Sequence, residues 1–151
     1  MKKKILLTAV AAAMCLACFG GNVEGGKAHP FVKVTDGQLT RGGKPYRFVG
    51  ANMWYGAVLG STGRGGDRAR LCRELDSLAA AGVTNLRVLA GADGSDGIAA
   101  KVEPALQTAL GVYNDSVMAG LDYLISEMGR RGMTAVIYLN NAWEWSGGYG
   151  Q

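Results

Sequence analysis

The sequence has few of the residues that build metal and disulfide sites. One histidine, His29, and three cysteines occur in 151 residues. Cys15 and Cys18 fall in an N-terminal leader, which leaves Cys72 as the one thiol of the body. A single thiol supports no disulfide framework, and a lone His and a lone Cys give no ligand set at metal spacing, so neither a metal nor an organic cofactor is implied. Cys72 sits between Leu71 and Leu75 in a helical pattern and reads as a small buried apolar residue rather than a nucleophile. Charge is also scarce. Only 19% of residues are charged, and of the formal +4, three units belong to Lys2, Lys3 and Lys4 in the leader. The arginines of the loop and two helices (Arg64, Arg68, Arg70, Arg73, Arg130, Arg131) have no interleaved aromatics, which argues against a nucleic-acid partner. No apolar run reaches the roughly 20 residues of a membrane-spanning helix. No Gly-x-Gly-x-x-Gly joins the first strand to a helix, so the dinucleotide-binding fingerprint is missing.

What is present belongs to an exported, globular protein. Residues 1–18 combine the basic Lys2–Lys4, an apolar stretch over 5–16 and small residues near its end, the three parts of a secretory signal. Cys18 follows Leu16 and Ala17 as the lipidated Cys of a bacterial lipoprotein does, although Cys15 stands where Leu is usual. A cell-surface or periplasmic lipid anchor and ordinary cleavage with secretion both fit. Residues 19–30 are Gly-rich and polar and read as a tether; the folded body is expected over 31–151. Hydrophobic residues make up 48% of the chain, which is enough for a packed core.

Within the body, Phe31, Val32 and Val34, followed by Asp36-Gly37 and Arg41-Gly42-Gly43-Lys44-Pro45, predict a short hairpin; Tyr46 to Val49 then predict a first core strand. Asp67 is placed to cap a helix whose stripe is Leu71, Leu75, Leu78 and Ala79 and which Gly82 ends. A second strand is expected over 83–90, a second helix over 115–131 with Val117, Leu121, Leu124, Ile125 and Met128 on one face, and a third strand over 133–139. The junction Ala-Gly-Val-Thr-Asn-Leu-Arg-Val-Leu at 81–89 lines up with Arg-Gly-Met-Thr-Ala-Val-Ile-Tyr-Leu at 131–139, a period of 50 residues. Strands alternating with helices in this way predict an α/β fold with a parallel sheet buried on both faces. Either a (β/α)8 TIM barrel or a doubly wound open sheet has this local pattern, and the missing dinucleotide fingerprint favours the barrel. Such a barrel takes about 250 residues, so 31–151 correspond to about its first three βα units.

In a parallel barrel the site gathers at the C-terminal strand ends. The first ends in Asn52-Met53-Trp54-Tyr55, an amide beside two flat rings that suit the C–H faces and hydroxyls of a sugar. The second holds Arg87 between Leu86 and Val88, where a guanidinium calls for a carboxylate from another strand end, or else extends to solvent. The third leads into Asn140-Asn141-Ala142-Trp143-Glu144-Trp145 and Tyr149, more aromatic surface than a structural loop needs. Glu144 alone does not make the carboxylate pair that glycosidic cleavage requires.

These stretches resemble glycoside hydrolase family 5, and within it the endo-β-1,4-mannanases: Gly-Ala-Asn-Met-Trp-Tyr-Gly at 50–56, Asn-Leu-Arg-Val-Leu-Ala-Gly-Ala-Asp-Gly at 85–94, Val-Glu-Pro-Ala-Leu-Gln at 102–107 and Tyr-Leu-Asn-Asn-Ala-Trp-Glu-Trp-Ser-Gly-Gly-Tyr at 138–149. The resemblance implies that Arg87 supports the nucleophile, that Trp54 lines the glycone subsites with Asn52 and Tyr55 beside it, and that Asn140, Trp143 and Trp145 belong to the cleft. It implies a monomer acting on mannan, glucomannan or galactomannan by retaining double displacement. The family's acid/base Glu, in an Asn-Glu-Pro after the fourth strand, and its nucleophile Glu after the seventh have no counterpart in 1–151, so the isolated chain is expected to be inactive. A non-catalytic sugar-binding surface protein and a family 5 β-glucanase or cellulase are the alternatives.

Overall fold

The structure, a computed structural model, describes residues 29–97, 99–139 and 142–147; the leader with Cys18 lies outside the described residues, and so does Asn140. The chain opens with β1 (Val32–Thr35), β2 (Gln38–Arg41) and β3 (Lys44–Pro45), a three-stranded antiparallel sheet. This sheet is largely exposed and is tied to the body by Arg41 Nη1, which donates to the Gly132 carbonyl at 2.9 Å, and by a hydroxyl pair between Tyr46 and Thr134. There follow β4 (Gly50–Asn52), α1 (Gly56–Gly60), α2 (Arg68–Ala80), β5 (Asn85–Leu89), the antiparallel pair β6 (Gln107–Ala109) and β7 (Val112–Tyr113), α3 (Asp115–Arg130) and β8 (Thr134–Tyr138). A 3-10 turn at Glu144–Ser146 closes the described part.

β4, β5 and β8 form one parallel sheet in that order, with Gly50, Ala51 and Asn52 opposite Asn85, Leu86 and Arg87, and Asn85–Leu89 opposite Thr134–Tyr138. The two helices that lead into β5 and β8 begin and end in parallel ways. Asp67 Oδ1 accepts from Arg70 N at 2.8 Å, and Asn114 Oδ1 accepts from Ser116 N at 3.1 Å, each satisfying an orphan donor of the first turn. At the far ends Gly82 and Gly132 take positive φ (81° and 70°). The following amides reach back, Val83 N to Leu78 O and Met133 N to Met128 O, both at 3.0 Å. This is the six-to-one bond of a Schellman stop, and it accounts for the repeated junction in the sequence.

Leu86 and Val88 of β5 face the helices and pack with Met53, Leu59, Leu71, Leu75, Leu124, Met128 and Met133 in the main core. Their neighbours Asn85, Arg87 and Leu89 alternate to the other face. The helical cover is thinner over β8 than over β5. Val88 is 1% exposed, whereas its cross-strand partner Ile137 is 40% exposed and Val136 49%, so β8, expected to be buried on both faces, is not.

Four other expectations are corrected. Residues 46–49 are not the first core strand. Pairing begins only where β5 begins, at Gly50 opposite Asn85, and Phe48 and Val49 are exposed while the Val49 carbonyl accepts from Thr84 and Asn85 N. Ala79 is exposed rather than part of the α2 stripe, and Ile125 is 41% exposed on α3. Cys72 is half-buried in polar company, its Sγ 3.5 Å from the Tyr123 hydroxyl and 3.7 Å from Glu127 Oε2.

Candidate functional site

The register sets Asn52, Arg87 and Val136 side by side across the sheet, on the face away from the helices. Arg87 Nη1 donates to Asn52 Oδ1 at 3.4 Å, and its guanidinium carbon lies 3.6 Å from the centroid of the Tyr138 ring. Among the described residues no carboxylate forms an ion pair with Arg87. Its side chain is exposed, so the countercharge expected from a buried guanidinium is not demanded; the aromatic face and the amide orient it instead.

One residue past β4, Met53 turns into the core and Trp54 turns out. Trp54 meets Trp145 edge to face, centroids 5.3 Å apart at 76°, although 91 positions separate them in the chain. The two rings line a cavity of about 370 Å³ with Ala100, Lys101 and Val102. A larger recess of about 730 Å³, which shares Ala100, Lys101 and Trp145 with it, lies between residues 99–101 and Ala142, Trp143, Glu144 and Trp145. Trp54, Trp143 and Trp145 are thus brought together with the 99–102 loop as their shared wall. That wall is pinned to the third strand's loop: Val102 N donates to Trp145 O at 2.7 Å, and Asp93 N to Ser146 O at 3.1 Å. Lys101 Nζ donates to the Asp93 carbonyl at 3.3 Å.

Tyr55 goes elsewhere. It touches Trp54 edge-on, but its hydroxyl donates to Glu74 Oε2 at 2.9 Å, in a separate hollow lined by Met53, Arg70, Arg73 and Leu78. Burial pushes the Glu74 carboxyl up, but hydrogen bonds from Arg70 (2.7 Å) and Tyr55 outweigh it and hold the pKa below its ordinary value. A carboxylate with a lowered folded pKa stabilises above its unfolded pKa and loses that contribution as pH falls through the folded value. Wild type is therefore expected to melt higher than Glu74→Gln at neutral pH, and the gap to shrink below about pH 4. A gap that widens on acidification would contradict this assignment.

Sequence reasoning missed Lys101, Val102 and Tyr138 as neighbours of the site. Residues 102–107 stood out only as a matching stretch, and nothing in their composition says that their loop folds back against Trp145.

Compared with known proteins, residues 29–151 match the family described as GH family 5 beta-mannosidase-like. A glycoside hydrolase family 5 mannosidase from Rhizomucor miehei superposes with a TM-score of 0.75 at 44% identity, covering 78% of this chain and 29% of that one. An endo-1,4-beta-mannanase of the same organism superposes at 0.61 with 25% identity, covering 78% and 32%. A putative mannan endo-1,4-beta-mannosidase 9 of Oryza sativa subsp. japonica is 31% identical over 145 residues, 95% of this chain and 33% of its own length. The chain thus spans about a third of that curated relative.

Proposed function

The chain belongs to glycoside hydrolase family 5, in its β-mannosidase-like group, and from that premise we propose that residues 31–151 supply the first three βα units and the aromatic flank of a (β/α)8 cleft that hydrolyses internal β-1,4-mannosidic bonds of mannan, glucomannan or galactomannan. The observation that carries this reading is that Trp54, Trp143 and Trp145 line two cavities, with Trp145 common to both, beyond the C-terminal ends of a parallel sheet. Flat rings there offer apolar faces to the C–H surfaces of a β-linked sugar chain, with Asn52 and, by the resemblance, Asn140 placed for its hydroxyls. Arg87, oriented by Asn52 and Tyr138, is suited to keep a nucleophilic carboxylate ionised and aimed. We assign both members of the catalytic carboxylate pair to residues outside this 151-residue sequence, because Glu144 is exposed and is the single carboxylate of its loop sequence, and Arg87 forms no ion pair with a carboxylate among the described residues. Export through residues 1–18, with Cys18 as a lipid anchor in a bacterial membrane or the leader simply removed, would place the enzyme where the polymer is.

The purified 151-residue chain is accordingly expected to release no reducing sugar from mannan above a blank; release well above it would sink the assignment of the carboxylates. A longer protein carrying this sequence should prefer mannan to carboxymethylcellulose, and the reverse preference would move the substrate to β-glucan. A mannosidase reading, in which a short mannoside rather than the polymer is cleaved, is favoured by the higher identity to the R. miehei mannosidase, a variant of which was crystallised with mannosyl-fructose. Comparing polymer with short mannosides in the same assay separates the two.

A further inference from the structure

We infer that Glu103 is a positioning residue for the aromatic recess, acting through the loop that forms its wall; this rests on the sugar-cleft reading above. Glu103 lies next to Val102, whose amide holds the Trp145 carbonyl at 2.7 Å. One carboxylate oxygen accepts from the Gly97 amide, closing the 97–103 loop on itself. The other pairs with Arg64 Nη1 at 2.9 Å, tying that loop to the Gly-rich segment that follows α1. Asp96 braces the same loop by accepting from Ala105 N at 2.8 Å. The residues inside this closure, Ala100 and Lys101, line both parts of the recess.

Glu103 has no place in the cleft itself, is 19% exposed, and bonds one group within the loop and one beyond it. A carboxylate that holds a backbone amide and a guanidinium together fixes geometry more firmly than neutral bonds do. Its effect should therefore reach Trp145 through Val102 and Trp54 through the ring contact, whereas the main core, which involves none of these residues, should not register it.

All three tryptophans of the sequence, Trp54, Trp143 and Trp145, line one or both of these two cavities, so every indole N–H signal in a nitrogen–proton spectrum of the chain reports on them. Glu103→Gln is expected to shift the indole signals of Trp145 and Trp54, to leave the helical circular dichroism unchanged, and to weaken binding of a β-1,4-linked manno-oligosaccharide about tenfold. Arg64→Ala cuts the same tie from its exposed end and should shift the same signals, and Arg64→Lys should restore most of the wild-type spectrum. Should Glu103→Gln fail to fold, the Arg64 pair decides. Indole signals that superpose on wild type in both variants would overturn the inference, as would shifted signals with unaltered affinity. If the signals shift but wild type itself binds no oligosaccharide, the positioning role stands and the sugar-cleft reading falls.

Discussion

Gly120→Ala is expected to destabilise the protein by about 2–3 kcal/mol, while Gly129→Ala on the same helix should be neutral or stabilising by up to about 1 kcal/mol. Both glycines lie within α3 and neither has a positive φ, so helix propensity alone would predict a gain from each. Their surroundings separate them. A Cβ at Gly129 meets nothing within 4 Å, whereas one at Gly120 would run into the Ala57 carbonyl oxygen and the Ser61 amide, and one at Gly60 into the Gly120 carbonyl. The contacted atoms are backbone, which cannot rotate away, so α1 would have to lift off α3. A Cβ at Gly56 would press instead on the side chain of Leu124, a fully buried core residue. Gly60 and Gly120 thus let a five-residue helix lie backbone to backbone on α3. For a domain of this size the loss corresponds to a drop in melting temperature of roughly 10 °C. Equal melting temperatures for the two alanine variants would show that α1 is not packed in this way.

That short helix marks where the sequence stops being legible. The period-50 junctions at Gly82 and Gly132, the Asp67 cap and the apolar stripe of α3 are local signals, and the local structure follows them. Gly56–Gly60, by contrast, is too short for a periodicity and is bounded by the residue that usually breaks helices; only the long-range contact with Gly120 explains it. Tyr46 to Val49 have the composition of a core strand, but a strand exists only where a partner runs alongside, and β5 starts at Asn85. At the site, the residue types Trp54, Arg87, Trp143 and Trp145 can be read from strand ends, but which of them meet cannot. Trp54 and Tyr55 are adjacent in sequence and go to different hollows, and the contacts of Arg87 among the described residues are an amide and a ring that its strand position does not announce. Such pairings are decided by loops whose course is set elsewhere in the chain, as the Val102–Trp145 bond illustrates.

Glu127→Ala should cost about 3–5 kcal/mol and Asp76→Ala no more than about 1 kcal/mol, although both carboxylates bond the same guanidinium. Arg131 donates from Nη1 to Glu127 Oε2 at 2.8 Å and to the Glu127 carbonyl at 2.9 Å, and from Nε to Asp76 Oδ1 at 2.8 Å. Distance therefore does not distinguish the partners; solvent does. The Glu127 side chain is 6% exposed and that of Asp76 67%. Water and salt screen the Asp76 pair, and its loss returns an exposed group to solvent. Removing Glu127 instead leaves Arg131, itself 16% exposed, without its buried partner, and also releases Arg130 and the Cys72 thiol. The hydrogen bonds that Arg131 donates to Glu127 and, less, to Asp76 raise its pKa in the native protein, and a guanidinium is basic enough to stay charged without Glu127, so it cannot escape the penalty by losing its proton. Added salt should erase the small Asp76 effect and leave the Glu127 effect nearly intact, since only the exposed pair sits in screening solvent. Replacing both ends of the buried pair, Glu127→Leu with Arg131→Met, should recover most of the loss, because the large cost comes from the stranded charge rather than from the bond. A double variant as unstable as Glu127→Ala would instead mean that this pair is what keeps α2 and α3 in register, and with them β5 and β8, the strands that set Arg87 over Tyr138.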